Sequence, residues 1–300
     1  QALTVARKSM VLLKNDNNTL PLPVSTVSLF GNASYKTLHS GFGAGYVNVS
    51  DVVNISEGLQ NSGIVLNSVV TAMYANCGSN SFSDADVNPE NDPYEIAISY
   101  STASAAAKIS DCAIFTVSRI TRETADHANK AGDYMLNAKE RQAIENLSKA
   151  FRAQGKKLIV IINTGNPIEV ASWAHLADAI IYAGLSGEQI GNSVADVIRG
   201  KVTPSGKLTS TWPIKFADTP YAKYFPGDST LTAVYNDDIY VGYRYYETFD
   251  VDVMYEFGYG LSYTTFDYSD LKNEKDGNNY ILSVDVTNTG KVKGSEIVQF

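Results

Sequence analysis

In the stretch SRITRETADHANKAGDY, residues 118–134, the side chains of Arg119, Arg122, Glu123, Asp126, His127 and Asp133 fall close together. The stretch follows the apolar run CAIFTV and precedes a helical pattern, so it reads as a loop leaving the end of a strand. Carboxyl groups beside cations at such a place fit general acid–base chemistry, in which a positioned side chain passes a proton as bonds change. Glu123 is the candidate donor. It must hold its proton near working pH, and burial or a neighbouring carboxylate such as Asp126 would raise its pKa to that end. His127 stands close enough in sequence to tune it. The competing reading is a solvated loop, because surface glutamates are common. Glycoside cleavage uses such a donor together with a second carboxyl group, which attacks the anomeric carbon or activates water.

The second candidate is GFGAGY, Gly41 to Tyr46, lying after a strand and before a helix. Its glycines suit a tight turn that brings backbone near a ligand. It lacks the G-x-G-x-x-G spacing, the phosphate-binding lysine and a placed ribose acid, so a sugar fits better than a nucleotide. His39, His127 and His175 are far apart in sequence, and no metal is expected of them. GLSGE, Gly184 to Glu188, has the wrong spacing for a nucleophile elbow, which disfavours acyl transfer. Cys77 and Cys112 form no C-x-x-C pair, and whether they pair with each other stays open. No cofactor is implied.

Elements that would hold these loops recur along the chain. Residues 1–14 place Val5, Met10, Leu12 and Leu13 around a helix that LPLP ends. TVSLF is a strand, the glycine-rich loop follows it, and a helix is expected over 51–62. A helix over 94–109, a strand over 112–117, a helix over 138–153 and a strand over 157–162 repeat the alternation. Ile144, Leu147 and Phe151 form one apolar stripe on the helix over 138–153. ADAIIYA is another strand, and GEQIGNSVADVIRG another helix, with Ile190, Val194 and Val197 on one face and Gly200 as its stop. Apolar strands without alternation, separated by helices, predict a parallel sheet covered on both faces. Ligands of such sheets bind beyond the carboxyl ends of the strands, where the loop of Glu123 belongs.

Beyond Pro204 the texture changes. Residues 221–268 hold eleven of the nineteen tyrosines, with several glycines, and do not read as a helix. Tyrosine rings stack on sugars and also close domain interfaces, and the interface reading is favoured. From Tyr280 the alternation of Ile281, Ser283 and Asp285 with Leu282, Val284 and Val286 predicts a half-exposed strand. TNTGKVKG then reads as a turn into a second strand, SEIVQF, so the chain is expected to stop inside a β-sandwich.

With 300 residues, 44% of them hydrophobic and 19% charged, the composition is that of a soluble globular protein of about two bodies. A net charge of −8 argues against a nucleic-acid surface and favours uncharged ligands. Apolar runs such as KLIVIIN are too short to span a bilayer, so no membrane partner is expected. N-x-S/T sequons at Asn17, Asn32, Asn48, Asn54 and Asn146 carry no weight in a chain rich in Asn and Ser. No signal peptide is visible, and the compartment is left open.

The blocks ARKSMVLLKNDNNTLPL, GDYMLNAKERQAIENLSKAF, GKKLIVIINTGNPIEVASW, GKVTPSGKLTSTWP, DIYVGYRYYETF and YEFGYGLSYTTFDYSDL resemble, in order and spacing, the C-terminal half of family 3 glycoside hydrolases of the β-glucosidase type. VTNTGKVKGSEIVQF is similar to the start of the fibronectin type III-like domain that follows it in that family. The resemblance implies an α/β fold of the (αβ)6 sandwich kind over residues 1–220. A Tyr/Gly-rich segment over 221–270 would complete and link it, and a truncated fibronectin-like domain would occupy 271–300. It implies a retaining, exo-acting enzyme that releases terminal β-D-glucosyl residues, or, on the same architecture, a β-xylosidase. A non-catalytic carbohydrate-binding or interface module is the reading from another class.

The family's loop S-R-x-x-G-E-G-x-D-R is matched by Ser118, Arg119, Glu123 and Asp126, with Arg122 and Thr124 in place of its glycines and His127 in place of its last arginine. The resemblance thus makes Glu123 the general acid/base and puts Arg119 and Asp126 near the substrate. GFGAGY is similar to the family's G-T-G-S-G loop, which implies that Gly43, Ala44 and Gly45 line the first sugar subsite, Ala44 lacking the hydroxyl. The aspartate nucleophile of the family lies on a separate (β/α)8 barrel, and no block here resembles it.

Overall fold

The apolar runs that show no alternation are strands with a core on each side. The computed structural model describes residues 1–23, 25–77, 95–121, 127–220, 222–224, 235 and 237–300. Strands β1 (Val11–Asn15), β2 (Thr26–Phe30), β3 (Val65–Leu66), β4 (Cys112–Arg119), β5 (Lys157–Thr164) and β6 (Ala179–Tyr182) form one sheet in the order β1-β6-β5-β4-β2-β3. Every neighbouring pair is parallel except β1 with β6. The register sets Ile114 beside Ile159 and Phe115 beside Val160.

Successive side chains of one strand enter different cores. Ala113, Phe115, Leu158 and Val160 face α4 (Tyr100–Ile109) and α5 (Ala138–Arg152), whose stripe Ile144, Leu147 and Phe151 is buried as the spacing predicts. Ile114, Ile159 and Ile161 face α2 (Ile55–Asn61) and α6 (Ile190–Ile198), with Ile190, Val194 and Val197 inward. Each side chain of that size removed from water stabilises the fold by roughly 1.5–3 kcal/mol. Alternation in which core a residue enters, with no alternation in polarity, is the mark of a sheet covered on both faces. Gly200, at φ +68°, ends α6 as expected.

Four sequence expectations need correction. The helix over 1–14 stops at Ser9 as α1 (Ala2–Ser9), and Val11 to Asn15 form a strand. Leu12 and Leu13 are both buried because they enter opposite cores, and Val5 is 67% exposed. The helix over 94–109 begins at Tyr100, where Ser99 caps it by accepting from Thr102 N at 3.1 Å. The tyrosine-rich region, read as not helical, includes the short helix α7 (Tyr243–Thr248) among its described residues. SEIVQF is not a strand; β10 (Asn279–Asn288) pairs instead with the preceding β9 (Phe266–Asp276) across a turn with Gly277 at φ +61°. Helix α3 (Ser68–Tyr74) is an element that the sequence pattern did not single out.

Several tyrosines fasten the later part of the chain to the sheet. Trp212, in β7 (Trp212–Pro213), meets Tyr182 of β6 edge-on at 5.3 Å and Tyr255 of β8 (Val253–Tyr255) at 6.0 Å. Tyr259 and Tyr263 donate to the carbonyls of Leu13 and Val197 at 3.2 and 2.9 Å. Leu261 N bonds Leu12 O at 2.8 Å, covering the open edge of β1 that would otherwise expose unpaired backbone groups.

Candidate functional site

Loops from the carboxyl ends of β2, β4, β5 and β6 meet at one edge of the sheet. Asn163, fully buried near the end of β5, stitches two of them together. Its Oδ1 accepts from Leu38 N at 2.9 Å, and its Nδ2 donates to Leu38 O and Gly184 O at 2.9 and 2.8 Å. The sequence reading missed Asn163; the signal was an amide closing an otherwise apolar run. Gly187 N, after β6, bonds His39 O at 2.9 Å, and His39 Nε2 donates to Val47 O at 2.9 Å.

The glycine-rich loop crosses in front of β4. Phe42 N donates to Thr121 O at 2.8 Å, joining this loop to the start of the one that carries Glu123. Gly43, Ala44 and Gly45 form an exposed 3₁₀ turn. Gly43 takes φ +79°, a conformation that side-chain-bearing residues avoid. A Cβ built on Gly45 would meet nothing within 4 Å, so the backbone there is open to approach. Glu123 and Asp126 lie in 122–126, outside the described residues.

Arg119, the last residue of β4, is 6% exposed and all its donors are engaged. Nε bonds Asp133 O at 2.7 Å, and Nη1 bonds Ser118 O and Glu140 Oε1, both at 2.6 Å. Nη2 bonds Met135 O at 3.1 Å and Glu140 Oε2 at 2.8 Å. These contacts hold the neck of the loop. Glu140 is itself fixed in a capping box with Asn137 at the start of α5. The sheet end, the loop and the next helix are thereby locked to one another.

On the returning limb, His127 Nδ1 meets Asp133 Oδ1, and Ala128 N donates to Asp133 Oδ2 at 2.7 Å. Burial by itself would raise the Asp133 pKa, but the hydrogen bonds from His127 and Ala128 and the charges of His127 and Arg119 outweigh it and hold it below the usual carboxylate value. Tyr134 follows, buried, its ring edge-on to Phe216 at 5.6 Å. Burial, with Glu169, Tyr246 and Asp218 nearby, pushes its phenol pKa upward.

Among the described residues no three His, Cys, Asp or Glu side chains are grouped to hold a metal ion, and no helix is long and apolar enough to cross a membrane. Burial, with Asp111 adding, pushes the thiol of Cys112 up to about 12. It is no nucleophile at neutral pH.

The glycosyl hydrolase family 3 C-terminal domain matches residues 10–263. Thermostable β-glucosidase B of Acetivibrio thermocellus is 31% identical over 99% of this chain and 38% of its own length. A β-glucosidase of Ruminococcus albus is 33% identical over 100% of this chain and 32% of its own. This chain therefore spans between about a third and two fifths of these relatives. The structure of β-glucosidase 3B from Thermotoga neapolitana in complex with glucose superposes with a TM-score of 0.88 at 36% identity, covering 96% of this chain and 41% of that one. A β-glucosidase from Paenibacillus barengoltzii superposes with a TM-score of 0.85 at 34% identity, over 96% and 32%. With its sequence and its fold both matching in this way, the chain belongs to glycosyl hydrolase family 3, of which it carries the C-terminal domain.

Proposed function

We propose that this chain is the α/β-sandwich part of a retaining, exo-acting β-glucosidase and supplies its general acid/base, Glu123. The observation that carries the reading is the Phe42–Thr121 hydrogen bond, which joins the glycine-rich loop to the root of the Glu123 loop at the carboxyl edge of the sheet. Names of the relatives support the substrate class, a β-glucoside or oligosaccharide. In the reaction, Glu123 gives its proton to the glycosidic oxygen as that bond to the anomeric carbon breaks. An aspartate on a (β/α)8 barrel of the same enzyme forms the glycosyl-enzyme bond. Glu123 then takes a proton from the water that hydrolyses it. The backbone of Gly43 and Gly45 borders the sugar, Ala44 offers no hydroxyl, Asp126 helps keep Glu123 protonated, and Arg119 acts from beneath by holding the loop. The division at residues 220 and 270 belongs to the same proposal, with the hairpin of β9 and β10, which straddles the second boundary, opening a fibronectin type III-like domain.

The test is Glu123→Ala in the full-length enzyme. With aryl β-glucosides of poor leaving ability, kcat should fall on the order of 10²–10⁴-fold, the usual worth of a positioned proton donor. With good leaving groups the first step should be nearly spared, and azide should restore turnover. Equal losses for both substrate types would refute the assignment.

A further inference from the structure

Residues 127–135 close on themselves beside the loop that bears Glu123. Lys130 N donates to Ala128 O at 2.8 Å, Gly132 N to Met135 O at 2.8 Å and Met135 N to Lys130 O at 3.1 Å, and Asp133 lies between the limbs. Its carboxylate takes both His127 Nδ1 and the Ala128 amide, while its carbonyl accepts from Arg119 Nε at 2.7 Å. One residue thus ties the limb arriving from Glu123 to the end of β4 from which the loop departed. On the other side, Thr121 is held through its carbonyl by Phe42. Only residues 122–126 separate the two fastened points.

We propose that His127 and Asp133 are a positioning pair for the acid/base: by fastening the chain just after Glu123, they fix where its carboxyl is presented. The proposal rests on the reading of Glu123 as proton donor. Neither residue touches the substrate. Loss of either side chain unfastens the chain at His127, shortly after the proton donor in sequence. Misplacement by about 1 Å costs on the order of 10²-fold in rate. His127 stands where the family's loop pattern has arginine, so a long cation at this position, able to reach the same carboxylate, should do the same work.

The experiment compares His127→Ala, Asp133→Asn and His127→Arg in the full-length enzyme, with aryl β-glucosides of poor and of good leaving ability, beside Glu123→Ala. The first two should lose roughly 10- to 100-fold in kcat on the poor leaving group, keep KM, and change little on the good one. Azide should not rescue them, since Glu123 is still present. His127→Arg should restore the poor-leaving-group rate to near the parent value. A merely structural role would instead lower the melting temperature and reduce both substrates in parallel; that result, or no loss at all, overturns the proposal. If Glu123→Ala itself treats both substrates alike, the proton-donor reading fails. If it discriminates and the His127 and Asp133 variants do not, only the positioning pair fails.

Discussion

Arg119 and Glu140 are 6% and 4% exposed and meet through two parallel hydrogen bonds of 2.6 and 2.8 Å. At such burial the pair is compensated only as a pair, since either charge alone would keep the full cost of leaving water. Replacing Arg119 by methionine would strand the Glu140 carboxylate with the Asn137 amide as its remaining partner in this arrangement. The expected loss of unfolding free energy is about 3–5 kcal/mol, measurable by urea denaturation. Lysine should not recover it, because an ammonium cannot reproduce the planar fork that also reaches Asp133 O and Met135 O. A variant that unfolds like the parent would show that the lock at the loop neck contributes nothing.

Helices α2 and α6 touch backbone to backbone. A Cβ on Gly58 would fall 2.1 Å from the Gly191 backbone, and one on Gly191 would fall 2.0 Å from Asn54 O. Neither neighbour is a side chain able to turn away. Gly191→Ala must push the helices apart, and overpacking of this kind costs about 1–3 kcal/mol. Asn54, at the start of α2, also receives Thr37 N at 2.9 Å, so the shift would reach the glycine-rich loop. Gly45→Ala is the contrast, with open space around the added carbon. Its stability should stay within about 0.5 kcal/mol of the parent, while KM for the glucoside rises as the methyl narrows the approach. Thermal unfolding and steady-state kinetics on both variants check the two expectations. Unchanged stability in Gly191→Ala would mean that the helices are not held this closely.

The molecule divides its apolar residues between two cores, one on each side of the sheet, and tyrosines fasten the later segment over the sheet's edge. The β9–β10 hairpin stands apart from this, with both faces largely exposed, although Lys207 pairs with Glu296 at 3.0 Å near its base. A unit with two closed cores should fold without further domains. Chemistry is another matter, because covalent retention needs a nucleophile about 5–5.5 Å from the acid/base, and in our reading that group comes from the barrel. The 300-residue chain is therefore expected to unfold cooperatively yet leave an aryl β-glucoside intact, and to gain turnover when mixed with or fused to the barrel. Turnover by the chain alone at a normal rate would disprove the shared site.

Pattern and spacing by themselves made legible the mostly parallel, doubly covered sheet and the inward stripes of α5 and α6. These are local properties: a strand with a core on each face is apolar throughout, and a helix repeats its buried side every three or four residues. The same logic misread residues 11–15, where consecutive leucines fit a strand or a helix equally well until the partner strand β6 is known. Arg119 was visible as a cation beside Glu123, but only the fold turned it inward onto Glu140, 21 positions away. Asn163 and the pair His127–Asp133 likewise gain their meaning from neighbours brought together across loops. Hydrogen bonding at this edge is decided by tertiary packing, since a polar group's partner is whatever the fold sets within about 3 Å of it, and sequence separation carries no record of that distance.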